Sequence, residues 1–275
     1  MLKWVNLLVL SVAAFSAEPG EFRMHRSYGV KLPGPREAQP DPKKITVLPG
    51  DDVLAQVANG AGWKTQIFLV NLSTVRLPFT IDFWTSDGSF WQLSIAGVGT
   101  GDQITGSLAP GAVAVLETTG QGPLAQGWAE LTYDTDAGRI GGFGVFRQSV
   151  VGRPDFEAVV PLSNLFDKTI VLPYDNTAGF STGVACVNGA RTASATITAV
   201  FRDENGVTYA TETIPLPRSG HTAFAMPARF PATQGRRGTV LFRSNTNFFS
   251  VLGLRFNPGG SFTSFSGLNT LQMLQ

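Results

Sequence analysis

The feature that most constrains this chain is a repeat. Ala61-Gly62-Trp63-Lys64-Thr65-Gln66-Ile67-Phe68-Leu69-Val70-Asn71 reads as a turn feeding a strand, and so does Ala178-Gly179-Phe180-Ser181-Thr182-Gly183-Val184-Ala185-Cys186-Val187-Asn188. The register holds without a gap from Val53–Asn71 to Ile170–Asn188, an offset of 117 residues. Phe83 to Gly88 then matches Phe201 to Gly206 at 118, Gly111 matches Gly220 at 109, Gly127 matches Gly238 at 111 and Gly144 matches Gly253 at 109. An offset that changes only between strands marks two copies of one unit, because loops accept insertions and strands do not.

Composition says what the unit is made of. Hydrophobic residues make up 43%, charged residues only 15%, and there are 31 Gly and 17 Pro. Short strands joined by tight turns fit that balance better than helices do. In the first copy the expected strands are Ile45–Leu48, Val53–Val57, Thr65–Asn71, Leu77–Trp84, Phe90–Ile95, Ala112–Glu117, Trp128–Tyr133 and Ile140–Gln148, separated by Asp, Asn, Gly and Pro. The fold class expected is all-β: two tandem antiparallel β-sandwiches of immunoglobulin-like type. They occupy 45–152 and 168–267, with a connector at 153–167 that includes a short strand in Asp155–Pro161, and a tail at 268–275.

Two segments precede them. Met1 to Ala17 has a positive start at Lys3, an apolar run from Leu7 to Phe15 and small residues after it, the order of a secretory signal peptide. Residues 18–44 are rich in Pro and Gly and read as an extended linker that carries His25. The expected location is therefore extracellular or periplasmic. The chain is not expected to stay in the membrane once the signal is cleaved.

One hairpin can be read in register. A three-residue loop at Ser86-Asp87-Gly88 sets Phe83 opposite Trp91, Ile81 opposite Leu93 and Phe79 opposite Ile95, keeping apolar side chains on one face. The same alternation turns Trp84 and Phe90 outward, and Trp128 shares a face with Glu130 and Thr132.

The run Gly152-Arg153-Pro154-Asp155-Phe156-Glu157-Ala158-Val159-Val160-Pro161, the Ala-Gly-Trp-Lys-Thr segment with its Val-Asn end, and Val251-Leu252-Gly253-Leu254-Arg255-Phe256-Asn257-Pro258 resemble uncharacterised secreted proteins of environmental bacteria. Those proteins carry tandem immunoglobulin-like or fibronectin-like β-sandwich repeats. The resemblance covers about Val47 to Phe265 and implies architecture; it carries over no functional residues.

Catalytic chemistry finds little support. His221 is the one His within the repeats; it lies in Ser219-Gly220-His221 and reads as a surface turn histidine with no nucleophile or acid beside it. Asp134-Thr135-Asp136 and Asp203-Glu204-Asn205 sit between strands, where Asp and Asn are ordinary turn residues, and fall short of a calcium loop. With one Cys and two His, a zinc cluster and an intrachain disulfide are excluded; Cys186 reads as a small buried hydrophobe, and no cofactor is expected. A net charge of +1 gives no reason to expect nucleic acid. The halves differ in sign: four cations face seven acids between Gly60 and Gly152, and nine face four between Lys168 and Gly267.

The expected function is a secreted, non-enzymatic structural, adhesive or protein-interaction module. The first alternative is a carbohydrate binder using Trp84, Phe90 and Trp128, since flat aromatic surfaces stack on sugar rings. The second is a hydrolase with an unrecognised carboxylate site. Partners would be a protein or a cell-surface glycan.

Overall fold

The computed structural model describes residues 22–25, 52–164 and 168–269. The signal segment, most of the linker and the expected strand Ile45–Leu48 lie outside them. The regular structure of the described residues is almost all strand, 61% against 3% helix. In the first half these are β1 (Arg23–His25), β2 (Asp52–Asn59), β3 (Trp63–Asn71), β4 (Leu77–Thr85), β5 (Leu93–Ile95), β6 (Gly99–Gly101), β7 (Gln103–Leu108), β8 (Val113–Glu117), β9 (Ala125–Tyr133), β10 (Ile140–Gln148), β11 (Phe156–Pro161) and β12 (Ser163–Asn164). The second half has β13 (Thr169–Asp175), β14 (Ser181–Asn188), β15 (Ala195–Arg202), β16 (Thr208–Leu216), β17 (His221–Ala225), a helical turn α1 (Met226–Arg229), β18 (Arg237–Ser244), β19 (Phe249–Phe256), β20 (Phe262–Ser266) and β21 (Leu268–Asn269).

The two halves share one antiparallel topology. The first front sheet runs β1-β7-β4-β9-β2-β12, and the second runs β16-β15-β18-β13-β21. The first back sheet runs β11-β10-β3-β8, and the second β20-β19-β14-β17. Strand for strand the orders coincide, apart from β1. The connector and the start of the tail therefore belong to the sheets: β11 and β12 complete the first half, and β21 pairs with β13.

The repeated stretch shows why. Ala61 and Gly62 both have positive φ, 50° and 85°, and so do Ala178 and Gly179, 49° and 80°. This is the two-residue turn that matches strand twist, and it carries the chain from front sheet to back. Downstream, Thr65 Oγ1 bonds the backbone of Ala58, and Thr182 Oγ1 that of Asp175. Asn71 then closes a loop by donating to Val75 O (2.8 Å) and Leu108 O (2.9 Å). Asn188 does the same to Ala193 O (2.9 Å) and Pro217 O (2.8 Å). Both Asn are buried, so each is a knot that satisfies loop carbonyls lacking a ladder partner. Gly127 and Gly238 match for a steric reason: a Cβ at either would lie 2.0 Å from a carbonyl oxygen, of Trp84 and of Arg202 respectively.

The expected hairpin is right at its start and wrong beyond it. Trp84 bridges Phe90, and Trp91 N–H donates to Phe83 O, around a loop with Gly88 at φ 83°. Leu93 and Ile95 then leave to pair with β6, and β7 takes their place, with Ile104 opposite Ile81. Part of the supposed linker is also structured. β1 pairs with β7, and the residue before it, Phe22, packs its ring 6.2 Å from Phe79.

The halves stack front to back. The outer face of the second back sheet lies on the outer face of the first front sheet around β2 and β9, so both faces of β2 and β14 are buried. Ala185, Val187 and Leu252 of the second half thereby join the hydrophobic core of the first.

Candidate functional site

The three aromatic candidates come together on the outer face of the first front sheet, where Trp84 and Trp128 are covered and Phe90 is not. Trp84 lies between Phe90 and Trp128, with ring centroids 4.4 and 5.8 Å away. Trp128 is 0% exposed, Trp84 6% and Phe90 41%. The second half covers Trp84 and Trp128: Trp128 Nε1 donates to Ser219 O at 2.8 Å, and the Arg191 guanidinium stands 5.3 Å from the Trp84 ring centre. Arg191 also pairs with Glu130 (2.5 Å) and approaches Asp82 (3.7 Å). Strand alternation assigns these rings to the outer face correctly, but that face is an interface. No sugar ring reaches Trp84 or Trp128 there.

His221 corrects a second expectation, because it is a buried bolt between the halves and not a surface turn residue. Its Nε2 donates to Gln56 Oε1 (2.6 Å), which leaves Nδ1 to accept from Ser86 Oγ (3.0 Å). Its backbone N–H reaches Ser86 O (3.1 Å). Burial pushes its pKa down to about 4, so the ring is neutral at ordinary pH. A Ser–His contact is where nucleophile activation starts, but the third partner of a triad must stabilise an imidazolium. An amide oxygen without charge does that poorly.

The carboxylates are occupied in turns and ion pairs. Asp134 Oδ1 accepts from the backbone of Asp136 and Ala137, and Asp203 Oδ1 from Asn205 and Val207. Among the described residues no group of three His, Cys, Asp or Glu is placed to hold a metal. Cys186 is buried, and burial pushes its thiol up to about 12, far from a reactive thiolate.

What the structure leaves open is the outer face of the first back sheet. Phe68 sits opposite Val115 on one side and Phe143 on the other; Val70 faces Val113, and Val145 faces Val159. Val113 is 57% exposed, Val159 51%, Val115 50% and Phe143 37%. Phe68 and Phe143 stack at 4.9 Å. At one end the patch meets Lys64, Glu117, Arg147 and Asp155, linked by ion pairs of 3.0, 3.0 and 3.6 Å. Burial works to raise the Glu117 carboxyl, but hydrogen bonds from Lys64 and Gln66 and the Arg147 charge outweigh it and hold it below its usual range. A contiguous apolar sheet face with a paired polar rim is the pattern of an interaction surface. The sequence signal for it is the unbroken run Ile67-Phe68-Leu69-Val70, which loads both faces of a strand with apolar side chains. Comparison with family models, curated proteins and solved structures gives no match.

Proposed function

We propose that this chain is a non-enzymatic structural module that joins β-sheet faces outside the cytoplasm, and that its outward joining surface is the outer face of the first back sheet. One observation carries the reading. The same sheet face occurs twice, seated on another sheet in the second half and open to solvent in the first. The occupant that fits is a second copy of this chain, back sheet to back sheet. The rim charges are already paired within each copy, so two copies meeting about a two-fold axis bring no large like-charge cluster together. The signal-like segment at 1–17 supports export. The carbohydrate reading loses its support, since two of its three rings are buried.

Sedimentation velocity on the chain and on a Phe68→Ser/Phe143→Ser variant tests this. The native chain should dimerise in the micromolar range and the variant should stay monomeric with an unchanged unfolding midpoint. A native chain that remains monomeric throughout that range defeats the proposal.

A further inference from the structure

A second feature lies where the halves meet. Between them is a cleft of about 290 Å³. Its floor is the outer face of the second back sheet at Gly183, Ala185, Ala223 and Ala225. Their counterparts on the first back sheet are Gln66, Phe68, Val115 and Glu117, as the shared pairing pattern fixes. Four side chains are thus cut back on one small area. Small residues on a covered sheet ordinarily let the partner approach until the gap closes, because interiors keep few voids larger than a water molecule. Here the gap persists, with room for roughly ten waters at about 30 Å³ each.

The chemistry of the walls narrows what fills it. Trp63, Phe146, Phe224 and Phe256 are the aromatic members, and no lining residue carries a charge. Two amides supply the polarity. Gln56 is buried with Oε1 engaged by His221, so its NH₂ is the atom it can offer to the cleft. Gln126 and Ala225 are exposed and mark the mouth. The Phe256 ring lies over Gly183, while Phe224, alternating with Ala223 and Ala225, packs on Phe230 in the second core. The floor left at Ala185, Ala223 and Ala225, beside Trp63 and Phe256, suits a planar ring. The volume stands at the small end of ligand sites, which run from about 300 Å³ upward.

We infer that this cleft is a binding site for an uncharged planar ring compound of two or three rings, apolar over its faces and with a hydrogen-bond acceptor directed at the Gln56 amide. The site is separate from the exposed sheet face and does not depend on it.

The test is a fluorescence titration with the neutral probe N-phenyl-1-naphthylamine. The native chain should show one saturable site. Ala223→Phe, which restores bulk where the first half has Val115, should abolish it. Ala225→Leu, at an exposed position that folding tolerates, should weaken binding about tenfold, as should replacing the probe by its sulfonated analogue, whose charge finds no partner in the cleft. Phe68→Ser/Phe143→Ser should bind as the native chain does. The inference fails if no saturable site is found, or if binding survives both Ala223→Phe and Ala225→Leu. Loss of binding in the Phe68/Phe143 variant also overturns it, since the probe would then be reading the exposed face.

Discussion

The two back sheets are one surface used in two ways. In the first half the outer face carries Phe68, Val115, Phe143 and Val145 and meets solvent; in the second the same positions hold Ala185, Ala223, Leu252 and Leu254 and meet the first front sheet. The front sheets differ in parallel. Trp84 and Trp128 on the covered one become Arg202 and Thr239 on the free one. Burial has therefore not simply selected for hydrophobicity. The covered back sheet is smaller in side-chain volume than the exposed one, because the large rings come from the opposing sheet. A sheet face is read better from the volume its partner supplies than from its own apolarity.

The sharpest way to break this comparison is to exchange a residue between the faces. Ala185→Phe copies Phe68 into the covered face and should cost about 3 kcal/mol in urea unfolding, as overpacking does. A cost near zero would mean that the halves do not stay stacked in solution.

Acid tests the same face through His221, which stands where the first half has Val113. The strands thus set Gly111 against Ser219, both with positive φ, and not against Gly220 as the sequences align. Burial holds the folded pKa of His221 at about 4, below the 6.5 of a free imidazole. Between those values the unfolded chain binds more protons than the folded one. Stability is therefore full above about pH 6.5 and falls as pH drops toward 4, by about 2 kcal/mol at pH 5. His221→Gln should flatten that slope. Asp175 does not interfere: burial works to raise its carboxyl, but Arg255 and Thr177 hold it at about 2, so its contribution is lost only below about pH 3.8.

The opposing rings sharpen the picture further. Trp128→Phe removes the bond to Ser219 O and should cost about 1 kcal/mol beyond the change in ring size. Trp84→Phe should cost less, because Trp84 Nε1 has no hydrogen-bond partner among the described residues. The smallest effect belongs to the exposed face. Phe68→Ala should leave unfolding within about 0.5 kcal/mol of the native chain, while weakening self-association measured by sedimentation.

The sequence discloses what each strand does within its own half. Turn residues and apolar alternation are local, so the repeat, the all-β class and the burial of Cys186 follow from spacing. The first hairpin pair, Trp84 with Phe90, is local too. Beyond it β7 prevails over the expected return strand, although its inward face holds only Ile104 and Leu108 around Gly106, too weak an alternation to announce a strand. What spacing cannot disclose is which outer face another sheet will cover. Trp84, Trp128 and His221 all lie on such faces, and Arg191 reaches its acids across the same boundary. Residues far apart in the chain decide their surroundings.

One difference between the front sheets bears on how the chain is made. An open strand border recruits foreign strands. β7 is closed off by β1, whose His25 O lies so near that a Cβ on Gly101 would stand 2.1 Å from it. Among the described residues no strand lies beyond β16, which instead carries exposed Glu212 and Pro215, a charge and a missing donor that discourage pairing. Arg23–His25 leaves the ribosome long before Gln103–Leu108. The guard for the vulnerable border thus already exists when that border forms, and each nascent chain brings its own protection against its neighbours.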